Sequence, residues 1–280
     1  MIKWILFLLF STPLFAQKLT DRESVFFLKG KVKEMRVIPY DIKEENEEII
    51  EKKHSQGFLN DNNIAVQFNP EGQAVEQVLY DSDNSVISKA LFFYSNTRKI
   101  KEEHYDKTGM LTEIYLITYD DTKKEKQNTR YPFGSQKSTQ NVICQIDEND
   151  NHIQCTVYSA EQIVKNTSYF LYNKAGQILQ KAYRDSQERL YLQIDYLYDS
   201  RGNLIEILQE DYDDFRKNFK INFQYNEKDE CIEQVIGGNG KLPARSHFTY
   251  EYDSQGNWIQ KKVNYKGKFV FLVERKITYY

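Results

Sequence analysis

A polar turn preceded by an aromatic or apolar residue returns at a near-constant interval through most of this chain. Its anchors are Phe68, Tyr94, Tyr119, Ile146, Tyr172, Tyr198, Tyr225 and Tyr252, spaced 26, 25, 27, 26, 26, 27 and 27 residues apart. A period this regular identifies a repeat-built protein and has to be read before anything else. A second turn falls near the middle of each unit, most clearly at Tyr80 to Asn84, Tyr105 to Gly109, Tyr183 to Gln187, Gly237 to Gly240 and Tyr265 to Gly267. Two turns per unit leave two segments of about seven to nine residues rich in Val, Ile, Tyr and Phe, which is the pattern of paired strands.

The expectation is therefore an all-β protein: an antiparallel meander of about eight two-stranded repeats forming an elongated twisted or spiral sheet. Strands rotate by about 20 to 25° from one to the next, so so long a sheet cannot stay flat. The alternative is one closed barrel, which removes the edges but must reconcile mixed polarity on both faces. Gly202 and Gly256 stand where the turn requires positive φ, and Asn84, Asp150 and Asp229 replace glycine in other units.

Three segments are expected. Residues 1–16 have a basic start, a short apolar run and a small residue before Gln17, as secretory signal peptides do. Residues 17–63 depart from the repeat and read as an N-terminal cap region, with a strand near Val32 to Tyr40. Residues 64–280 carry the hairpin array, with Thr122 to Thr139 as a loop-bearing or distorted unit. The last turn and closing strand give the look of a finished domain.

Removing residues 1–16 takes one lysine and leaves a formal charge of −4. Such a mildly acidic chain offers no basic face for nucleic acid. No later stretch is apolar enough for a transmembrane segment.

Pairing the strands symmetrically about each turn sets Tyr198 opposite Leu204 and Tyr196 opposite Glu206. It also sets Phe170 opposite Gln180, Phe223 opposite Gln234 and Tyr250 opposite Gln260. The equivalent positions form a column of Glu76, Glu102, Gln127, Cys155, Gln180, Glu206, Gln234 and Gln260. A column recurring once per unit is expected along one face, either as a structural hydrogen-bonding ladder or as a polar binding stripe. In the unit anchored at Ile146, a turn one residue longer would pair Ile146 with Ile153 and Cys144 with Cys155. A cross-strand disulfide between Cys144 and Cys155 is expected in an exported protein, with Cys231 free.

Catalytic motifs are absent: there is no nucleophile elbow, phosphate loop or His-Glu-x-x-His. His54, His104, His152 and His247 are scattered without a second ligand at metal spacing, and no metal or cofactor is expected. The acidic run Asp147 to Asn151 reads as a turn, not a calcium loop.

Tyr198-Asp199-Ser200-Arg201-Gly202-Asn203 and Tyr252-Asp253-Ser254-Gln255-Gly256-Asn257 resemble the YD repeats of Rhs-like bacterial surface and toxin-shell proteins. With Leu28-Lys29-Gly30-Lys31-Val32-Lys33, the chain looks like small exported YD-repeat proteins of Gram-negative bacteria. MORN-type repeats are a weaker match. The resemblance implies a spiralling antiparallel sheet. The shell function does not carry over, because the period is longer and the units are too few to enclose cargo. The functional expectation is a non-enzymatic cell-envelope or secreted protein. It would present an extended surface to an envelope protein or a polysaccharide, in the periplasm, at the outer surface or outside the cell. The alternative is a carbohydrate-active enzyme using Glu76, Glu102 or Glu206.

Overall fold

The computed structural model describes residues 28–45, 48–55, 57–58, 61–238 and 241–280. The proposed signal peptide, residues 1–16, lies outside the described residues. Two compact units are present, one comprising 28–113 with 248–280 and the other 114–247.

The first unit opens with β1 (Val32–Glu45) and β2 (Glu48–His54), followed by the two-residue strands β3 (Gly57–Phe58) and β4 (Asp61–Asn62). The hairpins then begin with β5 (Ile64–Phe68), β6 (Ala74–Tyr80), β7 (Val86–Ser95) and β8 (Arg98–Asp106). The second unit contains β10 (Glu125–Pro132), β11 (Gln140–Ile146), β12 (His152–Ser159), β13 (Val164–Tyr172) and β14 (Ile178–Asp185). It continues through β15 (Leu190–Tyr198), β16 (Leu204–Asp211), a 3-10 turn at Phe215–Lys217, β17 (Phe219–Tyr225) and β18 (Cys231–Gly238). The chain returns to the first unit for β20 (Trp258–Tyr265) and β21 (Lys268–Tyr279). Strands β9 (Leu111–Asp120) and β19 (Lys241–Tyr252) belong partly to each unit.

The sheet has 19 strands, and β1 is hydrogen-bonded to β21 as well as to β5. With β2 set aside as a side strand on the far half of β1, the other 18 strands form a closed antiparallel cycle. This corrects the open spiral expected from the repeat: the fold is a closed barrel. The physical reason lies in β1, whose Glu34 to Val37 pair simultaneously with Gln67 to Ile64 of β5 and Thr278 to Arg275 of β21. Pairing both edges of one strand leaves the meander no free end. Symmetry within the repeat carries no information about this pairing, because β1 lies outside the repeat.

Register shows why the core forms where it does. Met35, Val37 and Pro39 share a face with Phe271, Val273, Val66 and Val263, all buried, with Met35, Val66, Val263 and Val273 at 0% exposure. On the opposite face Ile38, Tyr40, Ile42 and Leu272 form a second cluster with Phe269 packed on it. The segment 125–132, placed by the sequence in a distorted unit, is a regular strand, and the irregularity is confined to 133–139.

One turn design recurs at both ends of the hairpins. At Asp199 the side chain accepts hydrogen bonds from the backbone N–H groups of Arg201 (2.9 Å) and Asn203 (2.8 Å), while the Gly202 N–H reaches the Asp199 carbonyl. The same bonds form at Asp147, Asn173, Asp185, Asn226 and Asp253. Asx side chains mimic a turn in this way. The left-handed position is taken by Gly202 at φ 90°, and by Asn84, Asp150 and Asp229 at 61 to 63°.

The remaining residues of the repeated motif join one unit to the next. The Tyr225 hydroxyl donates to the Leu204 carbonyl at 2.8 Å, Tyr172 to His152 at 2.9 Å, and Tyr94 to Ala74 at 2.8 Å. Asn203 Nδ2 reaches Asp229 in the following turn at 2.8 Å. Burial raises the pKa values of Tyr172 and Tyr225, keeping these hydroxyls protonated as donors.

Candidate binding surface

The turns at Asp147, Asn173, Asp185, Asp199 and Asn226 each carry a β-bulge. Tyr198 pairs with Leu204, but the next pair is Leu197 with Glu206, so Ile205 has no partner. The extra residue shifts the register by one, and the expected column changes accordingly. Glu206 faces Leu197, not Tyr196, and Gln180 faces Leu171, not Phe170. Phe223 does pair with Gln234, yet the position equivalent to Glu206 in that unit is Glu233, opposite Gln224.

The column therefore does not occupy one face. In the second unit Gln127, Gln180 and Glu206 share a face, while Gln234 points to the opposite side and is buried at 9% exposure. In the first unit Glu76 opposes Leu91 and Glu102 opposes Phe92, so these two acids lie on opposite faces of the sheet. Gln260 pairs with Glu274 on the Glu76 side.

The two faces of the second unit differ sharply. One is withdrawn from solvent and holds Cys144, Cys155, Leu192, Ile194, Tyr196, Ile207 and Ile221. Lys181 lies among them, between Phe170 and Ile194 in register, with its Nζ 5.6 Å from the Tyr196 ring. Burial lowers its pKa.

The other face is more polar and partly exposed, and Tyr169 stands on it between the buried Thr167 and the exposed Leu171. Tyr169 is flanked in register by Gln154 on β12 and by the small Ala182 on β14. Gln145 lies beyond Gln154, and Gln193 beyond Ala182. Gln180 and Gln193 donate to opposite oxygens of Asp195, at 2.7 and 2.9 Å. Two amides are thereby fixed in orientation, each keeping a carbonyl acceptor and a further N–H. The Tyr169 hydroxyl contacts Glu188 Oε2 at 3.3 Å, and the Arg184 guanidinium lies 5.8 Å from the ring. Burial, then the Glu188 carboxylate, raises the Tyr169 pKa. Tyr169, Gln154, Gln193 and Asp195 escaped the sequence reading, but allowing one extra residue per turn would have brought them beside Gln180.

The carboxylates of the enzyme alternative are individually engaged. Glu76 lies 3.5 Å from Lys89, and Glu206 lies 2.7 Å from Lys220. Glu102 is 3.2 Å from both Lys99 and His104. Burial alone would raise Glu102, but the hydrogen bonds and charges of His104 and Lys99 outweigh it and hold the carboxyl below its usual range. Glu161 borders a depression of about 430 Å³ with Tyr131, Gln136, Lys137, Ser138 and Ala160, and a hydrogen bond from Ser159 lowers its pKa.

Cys144 and Cys155 pair directly and are joined by a disulfide, while Cys231 lies outside it and its Sγ donates to the Glu233 carbonyl at 3.3 Å. The bulge, and not a longer turn, sets this register: Ile146 pairs with His152, leaving Ile153 unpaired. His152, one of the scattered histidines of the sequence, lies beside the two sulfurs. Its Nε2 is 3.3 Å from Lys126 Nζ, and burial, then the Lys126 charge, lowers its pKa to about 4.

The sequence matches no protein-family model and no curated protein. Solved structures with a similar trace include a porin-like protein from Bacteroides uniformis, at 9% identity and a TM-score of 0.46, covering 90% of this chain and 98% of that one. A porin-like protein from Bacteroides vulgatus aligns at 13% identity and a TM-score of 0.32, over 68% and 97%. The Photorhabdus luminescens Tc holotoxin pore aligns at 10% identity and a TM-score of 0.29. In that case 84% of this chain spans 18% of the other. Among the described residues no helix is long and apolar enough to cross a membrane, a statement that leaves β-barrel spans untouched.

Proposed function

We propose that the protein is an exported, non-enzymatic barrel that binds an extended polysaccharide along the more polar face around Tyr169. The observation carrying this reading is the tyrosine ring between Gln154 and Ala182, bordered by amides that Asp195 fixes in place. A sugar offers an apolar C–H face and a rim of hydroxyls. An aromatic platform with pre-oriented amides complements both, and fixed side chains reduce the entropy lost on binding.

Export rests on residues 1–16, and the kinship with small YD-repeat proteins on the Tyr-Asp-x-x-Gly-Asn turns. On the Tyr169 face of residues 114–247, Gln154, Gln180, Gln193 and Asp195 are interspersed with the exposed Leu171 and Leu197.

Hydrolysis finds less support. A glycosidase acid has to keep its proton, which requires a raised pKa. Among the described residues, Glu102 and Glu161 are displaced in the opposite direction.

The test is calorimetric titration of the full exported chain with fractionated envelope polysaccharides, beside Tyr169→Ala. Saturable binding weakened at least tenfold by the substitution is the expected result. Saccharide binding equal in both proteins, or capture of one protein partner with no saccharide affinity, would reject it.

A further inference from the structure

Residues three apart point to opposite faces of a regular strand, so His152 and Cys155 ought to diverge. They do not, because the bulge leaves Ile153 without a partner and turns His152 back onto the face of the cysteines. Bulges re-aim side chains in this manner. One ligand atom from each of Cys144, His152 and Cys155 consequently lies within 4.8 Å of the others, on the two strands of one hairpin.

We propose that this trio is a redox-gated metal site, closed while the disulfide is intact and able to hold a zinc-class divalent ion once the two cysteines are reduced. Two thiolates and an imidazole are a ligand set that zinc accepts, and three protein ligands leave its fourth tetrahedral position for water or another ligand. The hairpin itself presets the spacing, since Cys144 and Cys155 are direct register partners. The ammonium of Lys126, opposite Cys144 on the neighbouring strand, favours the thiolate form.

The gating reaction is thiol–disulfide exchange with a dithiol. One reductant thiolate attacks a sulfur of the pair to form a mixed disulfide, and the second thiol then displaces the protein sulfur. Two electrons and two protons pass to Cys144 and Cys155, and the reductant leaves as its own disulfide. The entering ion displaces the two thiol protons and accepts a lone pair from His152. Cys231, three-quarters of a hundred residues further along the chain, takes no part.

The experiment uses the full chain carrying Cys231→Ser, reduced under native conditions with a non-chelating phosphine and titrated with Co²⁺ as a spectroscopic probe. The expected result is one equivalent of thiolate-to-cobalt charge-transfer absorption, absent from the oxidised protein and reversed by Zn²⁺. His152→Ala is expected to weaken the ion at least tenfold. The Cys144→Ser/Cys155→Ser pair is expected to abolish the bands. Three results would overturn the proposal: no bands from the reduced protein, bands that persist in the double-serine variant, or a disulfide that opens only when circular dichroism shows the sheet has unfolded.

Discussion

Around β1 the sheet is buried on both faces, whereas between β11 and β18 burial falls mainly on alternate residues. At the seam Met35 and Val273 fill one side and Ile38, Tyr40 and Leu272 the other. In the meander Leu192, Ile194 and Tyr196 are buried, while Gln193 and Asp195 between them meet solvent. The contrast teaches that closure and repetition rest on different forces. The seam depends on apolar area removed from water, worth roughly 25 cal/mol per Å². The meander adds a repeated set of turn and strand-end hydrogen bonds, each worth about 1 kcal/mol net.

Substitutions can separate the two. Val273→Asp places an unpaired carboxylate at a fully buried seam position and is expected to cost more than about 4 kcal/mol, leaving little folded protein in denaturant titrations. Leu171→Ser, on the Tyr169 face at 55% exposure, is expected to stay within about 0.5 kcal/mol of the parent. Equal losses from both would erase the distinction.

The next largest effect is one of pH. His152 has a folded pKa of about 4 against 6.5 for the free side chain, so the unfolded chain takes up its proton first as the solution is acidified. The stability it contributes is complete above about pH 6.5 and falls through the window down to about 4, by about 3 kcal/mol in all. Urea midpoints measured across that window should fall with pH in the parent and fall less in His152→Asn.

Removing the crosslink with Cys144→Ser/Cys155→Ser should cost about 2 to 3 kcal/mol. That is the chain-entropy value for a short closed loop such as this separation of 11 residues. Tyr225→Phe removes one strand-end hydrogen bond to Leu204 and is expected to cost about 1 kcal/mol by thermal melting. A cost near that of the seam variant would mean that the tyrosine bonds, not the apolar seam, govern cooperativity.

The sequence made some of this legible and concealed the rest. Asp199, Gly202 and Asn203 announce their turn because each has a local conformational task, and hairpin pairing follows from locality. The single-residue slip at Ile205 was hidden, since a bulge changes no composition, and it moved Glu206 opposite Leu197. Closure was hidden more deeply: nothing in the alternation of β1 says that its partners are β5 and β21. The site around Tyr169 shared the fate of the register. Gln180 was visible as a recurring residue, but its neighbours appear only after the bulges are counted.

Bonds between residues far apart in the sequence also set a timetable. Lys29 and Asn257 exchange hydrogen bonds across 228 residues, and the Tyr280 hydroxyl meets the Phe68 carbonyl across 212. Hairpins can form within microseconds of their synthesis, while contacts so distant in sequence are slow to find one another. Until β21 arrives, β1 keeps an exposed apolar edge of the kind that recruits other chains. The most vulnerable moment in the life of this molecule is therefore the interval before its last strand docks.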